Sequence, residues 1–226
     1  MLFRSERFAY VASHDLQEQL RTVSSDVQLL ARRYRDQVGG DAAEFIDSAI
    51  GGVARMQHLI DDLLAFSRVG TRADEIVETD ADAVLRAALD SLRAAIDESG
   101  AVVTHDPLPR VRADAGQFEQ VLMNLISNAL KFRGAEAPQV HVGARRDSRH
   151  WVFTVADNGI GIDPQYFDRA FVIFQRLHAR DRYPGTGVGL SICKKIVERH
   201  GGKFWIESSP GAGATFCFSI PTAPRE

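Results

Sequence analysis

Residues 4–68 contain no proline, and their apolar side chains recur at a spacing that only long helices bring onto one face. Leu16, Leu20, Val23, Val27, Leu30 and Tyr34 step by 4, 3, 4, 3 and 4, the seam of a heptad repeat. Ile46, Ala49, Val53, Met56, Ile60 and Leu63 step by 3, 4, 3, 4 and 3. Between the two runs, "VGGD" at 38–41 interrupts the helix, and Asp41 suits the N-cap of the next one. A helical hairpin over residues 1–70 is therefore expected. Two helices alone cannot cover both seams together with Phe45, Leu59, Leu64 and Phe66, whereas a second hairpin can. The pattern predicts a dimeric four-helix bundle.

"RVGTRAD" at 68–74 reads as a polar linker, with the linker proper at 71–76. Residues 77–226 have a mixed texture. We expect a strand near 75–79, a helix over 81–98, a short strand at 101–105 and a helix over 115–132. Strands at 138–146 and 150–157 follow, then a loop-rich stretch over 158–186. A helix at 188–200 and strands at 202–207 and 214–220 close the chain. Helices and mostly antiparallel strands in that order predict a two-layer α+β sandwich.

Composition narrows the options. The 226 residues are 45% hydrophobic and 25% charged with a net charge of −3, which gives no bulk attraction to nucleic acid or an anionic membrane. Cys193 and Cys217 are far apart in apolar patterns, so they read as reduced core residues, not metal ligands. No apolar run approaches the roughly 18 residues of a membrane span, and "MLFRSERF" is no signal peptide. A cytoplasmic setting is expected. The chain opens almost on its first helix, so an upstream segment in a longer parent chain is expected as well.

The first helix carries a polar turn, "ASHDLQEQL" at 12–20. At about 100° per residue, His14 lies roughly 180° from Val23 and 200° from Leu16, facing away from the seam with Glu18 and Arg21. A solvated surface histidine satisfies this pattern. So does a nucleophile: a neutral imidazole attacks through one nitrogen while the other donates to a carboxylate, and Asp15 is adjacent.

Three motifs in the second half suit a nucleotide. "NLISNALKF" places Asn124, Asn128 and Lys131 at i, i+4 and i+7 on one helix face. The amides can offer oxygens to Mg²⁺ and nitrogens to phosphates, and Lys131 adds a point charge. Buried asparagines that bridge loops would look the same. "DNGIGI" at 157–162 ends an alternating strand: Asp157 can accept the amino hydrogen of adenine, and Gly159 and Gly161 let a base approach. "GTGVGL" at 185–190 opens a helix whose free N–H groups can cradle phosphate, although its spacing also resembles a dinucleotide fingerprint.

Taken in order, "ASHDLQEQL", "NLISNALKF", "DNGIGI", "FVIFQRLH" and "GTGVGL" resemble the five signature boxes of bacterial sensor histidine kinases. Residues 8–68 resemble the dimerisation and histidine-phosphotransfer domain. Residues 77–221 resemble the catalytic ATP-binding domain of the gyrase and histidine kinase type. The wording is most similar to the phytochrome-like and PAS-linked soluble kinases.

The resemblance implies that His14 is phosphorylated from Mg-ATP with Asp15 as general base. It implies that Asn128 binds Mg²⁺, that Asn124 and Lys131 meet the triphosphate, and that Asp157 binds adenine. Gly159, Gly161, Gly185, Thr186, Gly187, Gly189 and Leu190 would shape the pocket and its lid, with Phe171 and Phe174 anchoring it. Arg176 would reach the γ-phosphate, and the Thr215 hydroxyl would support Asp157. The implied partners are a second copy, a response-regulator receiver domain and an upstream sensory domain.

Related ATPases place a water-activating glutamate at the position of Asn124. An amide cannot take that proton, so ATP is spared until His14 attacks.

Two letters depart from the family. Glu18 stands where many relatives have Thr or Asn to position water, which sets an alternative role, net phosphatase of the regulator, in doubt. Gln19 stands where relatives commonly have proline. It restores a helical N–H and predicts a straighter first helix.

Overall fold

The computed structural model describes residues 2–34, 39–69, 75–177, 183 and 185–222, with side chains from residue 17 onward. The chain divides into two compact units, Met1–Arg68 and Val69–Glu226.

The first unit is a pair of long helices, α1 (Leu2–Tyr34) and α2 (Gly40–Arg68). The glycines at the bend lack helix propensity, and the Gly39 carbonyl accepts from the N–H groups of Ala42 and Ala43. Helix α2 therefore begins at Gly40. Asp41, expected as its cap, falls in the first turn, where a negative charge still complements the helix dipole. Across the pair, Gln17 Nε2 donates to Asp61 Oδ1 at 2.7 Å. The heptad seam is only partly covered within one chain: Val23, Leu30, Tyr34 and Met56 remain 44%, 49%, 46% and 44% exposed.

The second unit is the expected sandwich. Its strands are β1 (Val77–Asp80), β2 (Val102–His105), β3 (Arg110–Ala113), β4 (Gln139–Asp147), β5 (His150–Asp157), β6 (Phe204–Ser208) and β7 (Ala214–Pro221). Its helices are α3 (Ala81–Ser99), α4 (Ala115–Lys131), the short α5 (Phe167–Ala170) and α6 (Gly189–Arg199). The main sheet runs β2-β4-β5-β7-β6. Only the β2–β4 pair is parallel.

Strand β3 differs from expectation. Its four residues alternate exposed Arg110 and Arg112 with buried Val111 and Ala113, too short a pattern to stand out beside Pro107 and Pro109. It pairs with β1 in a separate two-stranded sheet, so β1 is not a strand of the main one.

The core forms where α4 crosses the sheet. Phe153 and Phe218, paired across β5 and β7, stack at 5.1 Å, and Phe118 of α4 meets them edge-on at 5.1 and 5.7 Å. Leu122, Leu125 and Ile126 on α4 and Ile192 and Ile196 on α6 complete the burial. Each such side chain contributes about 1.5–3 kcal/mol on leaving water.

The start of α4 is fixed twice. Asp114 caps it by accepting from Gln117 N at 3.1 Å, and Arg199 Nη1 reaches Asp114 Oδ2 at 3.2 Å. The Asp114 N–H donates to Nε2 of buried His200 at 3.0 Å, while His200 Nδ1 donates to the Ile196 carbonyl at 2.8 Å. These bonds hold the ring neutral, and burial pushes its pKa below the ordinary value. The end of α6 thus sets where α4 begins, and α4 carries Asn124, Asn128 and Lys131.

Cys193 and Cys217 are buried free thiols, each pushed up to about 12, mainly by burial. Among the described residues no helix is long and apolar enough to cross a membrane.

Candidate functional site

The second unit gathers its three motifs around the C-terminal half of α4. Strand β5 ends in Asp157, whose Oδ1 accepts from the N–H groups of Gly159 at 2.8 Å and Ala214 at 3.2 Å. Burial raises the pKa of this carboxyl and the two hydrogen bonds oppose the rise. Because both bonds use Oδ1, Oδ2 is left for a donor from outside the chain. The amide that reaches Asp157 belongs to Ala214, one residue before Thr215. Thr215 itself faces Ala156 and Glu207 across the ladders.

The turn after Asp157 fits only because its glycines lack Cβ atoms. At Gly159 a Cβ would sit 2.4 Å from the Phe132 carbonyl oxygen, and at Gly161, with φ of 70°, it would sit 2.1 Å from Ser209 O. The turn is tied to the end of α4 by Ile160 N donating to Phe132 O at 3.0 Å. Ile162 N donating to Ser208 Oγ at 2.8 Å ties it to the β6–β7 hairpin. Asn158, within the same motif, bridges Gln139 N and Ala137 O and so serves the loop.

The glycine-rich turn before α6 lies against α4. A Cβ on Gly185 would fall 2.5 Å from Lys131 Nζ, and one on Gly189 would fall 3.4 Å from Asn124 Oδ1. The Nδ2 of Asn124 is buried and has no hydrogen-bond partner among the described residues. Helix α6 starts at Gly189 behind Val188, which supplies no side-chain cap. Its first N–H groups are therefore open to an anion. Thr186, Gly187 and Leu190 lie part-buried along this turn, and Asn128 is part-buried one helical turn from Asn124.

Two cations converge on the same place. Burial, and then the charge of Arg176, hold the Lys131 ammonium below its ordinary pKa. Arg176 donates through Nη2 to the Tyr183 carbonyl. No carboxylate among the described residues pairs with either. Phe171 is anchored edge-on to Phe204 at 5.5 Å. Phe174, expected to do likewise, stands half exposed at a positive φ of 64°.

The fit to a nucleotide with a metal ion rests on these features: an orphaned amide nitrogen, glycines with no room for a Cβ, an uncapped helix start and two adjacent cations. His14 and Asp15 lie on α1 in the first unit, and their side chains fall outside the described residues. Tyr183 and the Ala214 amide enter the site without a motif of their own in the sequence. The "YPG" preceding the glycine run was the only signal for the former, and a backbone donor leaves none.

Comparison with known proteins accounts for both units. Residues 4–72 match the family profile of the His Kinase A (phospho-acceptor) domain. Residues 113–224 match that of the Histidine kinase-, DNA gyrase B-, and HSP90-like ATPase. Cyanobacterial phytochrome A of Nostoc sp. is 58% identical over 221 residues, covering 98% of this chain and 29% of that protein. Phytochrome-like protein Cph1 of Synechocystis sp. is 53% identical over 216 residues, covering 96% of this chain and 29% of that protein. The chain thus spans under a third of the length of these relatives. The crystal structure of full-length ShkA in complex with AMPPNP is 26% identical with a TM-score of 0.72, covering 97% of this chain and 47% of that one. With both of its units matched, the chain belongs to the sensor histidine kinases and carries the two domains of their catalytic core.

Proposed function

We propose that the chain takes the γ-phosphoryl group of ATP onto His14 and passes it to an aspartate of a response-regulator receiver domain. The observation that carries this reading is the convergence of Lys131, Arg176, the Asn124 amide and the Gly185 and Gly189 backbone at the uncapped start of α6. Two cations held together with no carboxylate paired to either among the described residues, beside N–H groups with no side-chain cap, form a receptor for a polyphosphate.

In this reading Asp157 Oδ2 accepts from the exocyclic amine of adenine, and the glycines at 159 and 161 leave room for the ring. Asn124 and Lys131 contact the triphosphate, Arg176 meets the γ-phosphate, and Asn128 offers its amide oxygen to Mg²⁺. The ion, when bound, would offset the negative charge of the phosphates. An amide at 124 cannot deprotonate water, so hydrolysis lacks a base there.

On α1, one ring nitrogen of His14 bonds to the γ-phosphorus as the bond to the β,γ-bridging oxygen breaks and ADP leaves with that electron pair. Asp15 takes the proton from the other ring nitrogen. The exposed seam residues Val23, Leu30, Tyr34 and Met56 support burial against a second copy. Input from a sensory domain in a longer parent chain belongs to the same reading.

Parallel incubations with γ-labelled and α-labelled ATP test it. Label should enter the chain only from the γ position, and it should be lost in acid and kept in alkali. Acid-stable label, or label from the α position, would contradict the proposal.

A further inference from the structure

We propose that Tyr183 is a positioning residue for the polyphosphate end of this site, locating the Arg176 guanidinium through its carbonyl and the Lys131 ammonium through its ring. The inference rests on the ATP reading above. Tyr183 is buried although its neighbours in "ARDRYPG" are mostly polar. Its ring packs against Phe132, the residue after α4, with centroids 5.1 Å apart and planes tilted by 49°. The Lys131 ammonium sits over that same Phe132 ring, 4.4 Å from its centroid. On the backbone side, the Tyr183 carbonyl accepts from Arg176 Nη2. Two residues on, a Cβ on Gly185 would fall 2.5 Å from the ammonium, so the backbone there lies close beside it.

One residue therefore bears on both halves of the cationic pair, on Arg176 directly and on Lys131 through the Phe132 ring. Like charges this close repel, and without an anion between them they separate unless something else holds them. The Tyr183–Phe132 contact supplies that hold. It keeps the carbonyl under the guanidinium and keeps residue 185 against the ammonium. The adenine end, built on Asp157, Gly159 and Ala214, meets Phe132 through its backbone carbonyl and not through the ring that Tyr183 packs on.

That separation makes the role testable by ligand choice. Titrations of the full chain with Mg-ATP and with adenosine, followed by amide chemical shifts, compare the two ends of the site. Tyr183→Ala should weaken Mg-ATP binding by about tenfold and leave adenosine within about twofold. Tyr183→Phe keeps the ring and should restore Mg-ATP affinity to within about threefold of the parent. Equal loss for both ligands, no loss for either, or a Phe variant as weak as the Ala variant would overturn the assignment. A parent chain that binds no Mg-ATP would instead overturn the ATP reading, and this inference with it.

Discussion

At Asp157 one carboxylate oxygen is occupied by the chain itself, through the Gly159 and Ala214 amides, and the other is left for a ligand. This division makes a clean substitution possible. Asp157→Asn can keep the Oδ1 acceptor for both amides while placing an NH₂ group where adenine presents its own. Two donors then face each other at a cost of about 1–3 kcal/mol. We expect ATP affinity to fall by roughly tenfold to a hundredfold with an unchanged melting temperature, measured by titration calorimetry and thermal unfolding. An equal loss of stability would show that the residue serves the fold instead.

Lys131 gives a second test at this scale. Its pKa in the free protein lies below 10.5, first through burial and then through Arg176. A polyanion favours the protonated form, so affinity should decline as pH rises through that lowered value, earlier than for an ordinary lysine. Arg176→Gln removes the second cause. The variant should bind ATP more weakly at neutral pH, yet its alkaline decline should begin at higher pH. A decline at the same pH in both proteins would contradict the coupling. Asp157 and Lys131 were legible in the sequence because their chemistry is in the residue type. Tyr183 and the Ala214 amide were not, because a ring contact to Phe132 and a backbone donor to β5 exist only once distant segments meet.

Among the elements, the long seams of α1 and α2 and the apolar runs of β5 and β7 were readable because burial extends over many residues. β3 escaped because four residues between a proline pair and a helix cap carry too little pattern. The short α5 lay inside a stretch read as loop for the same reason. The joint between α4 and α6 was invisible from either helix alone, and it makes stability depend on pH. His200 has a folded pKa below its ordinary 6.5, chiefly through burial, with Arg199 lowering it further and the Ile196 carbonyl and Asp114 opposing. The unfolded chain therefore takes up a proton first as pH falls. The His200 contribution is whole above pH 6.5 and declines below it, by at most about 1.4 kcal/mol per pH unit. Both tryptophans, Trp151 and Trp205, lie in the second unit, so their fluorescence in urea titrations reports on it. His200→Phe should flatten the slope between pH 6.5 and 5. A slope unchanged in that variant would assign the acid loss elsewhere.

Helix α1 runs unbroken through Gln19. Gln19→Pro removes one helical N–H and introduces a kink, at a cost of about 3 kcal/mol in a helix interior. We expect it to change the ratio of autophosphorylation to regulator dephosphorylation without abolishing either. Identical ratios in the two proteins would count against a role for helix stiffness.

For the molecule as a whole, the proposed function divides the labour between the two units: the second would prepare a phosphoryl group and the first would accept it. The order of motifs made this legible from the sequence, since a histidine-bearing hairpin preceded a three-part nucleotide site. The route between the units was not legible, because it depends on how helices and sandwich meet, which no local pattern encodes. Incubating the parent chain and His14→Gln with γ-labelled Mg-ATP, and measuring both incorporated label and ATP affinity, separates the two roles. Acid-labile label is expected on the parent, none on His14→Gln, and the same ATP affinity for both. Label persisting on His14→Gln would contradict this division of labour.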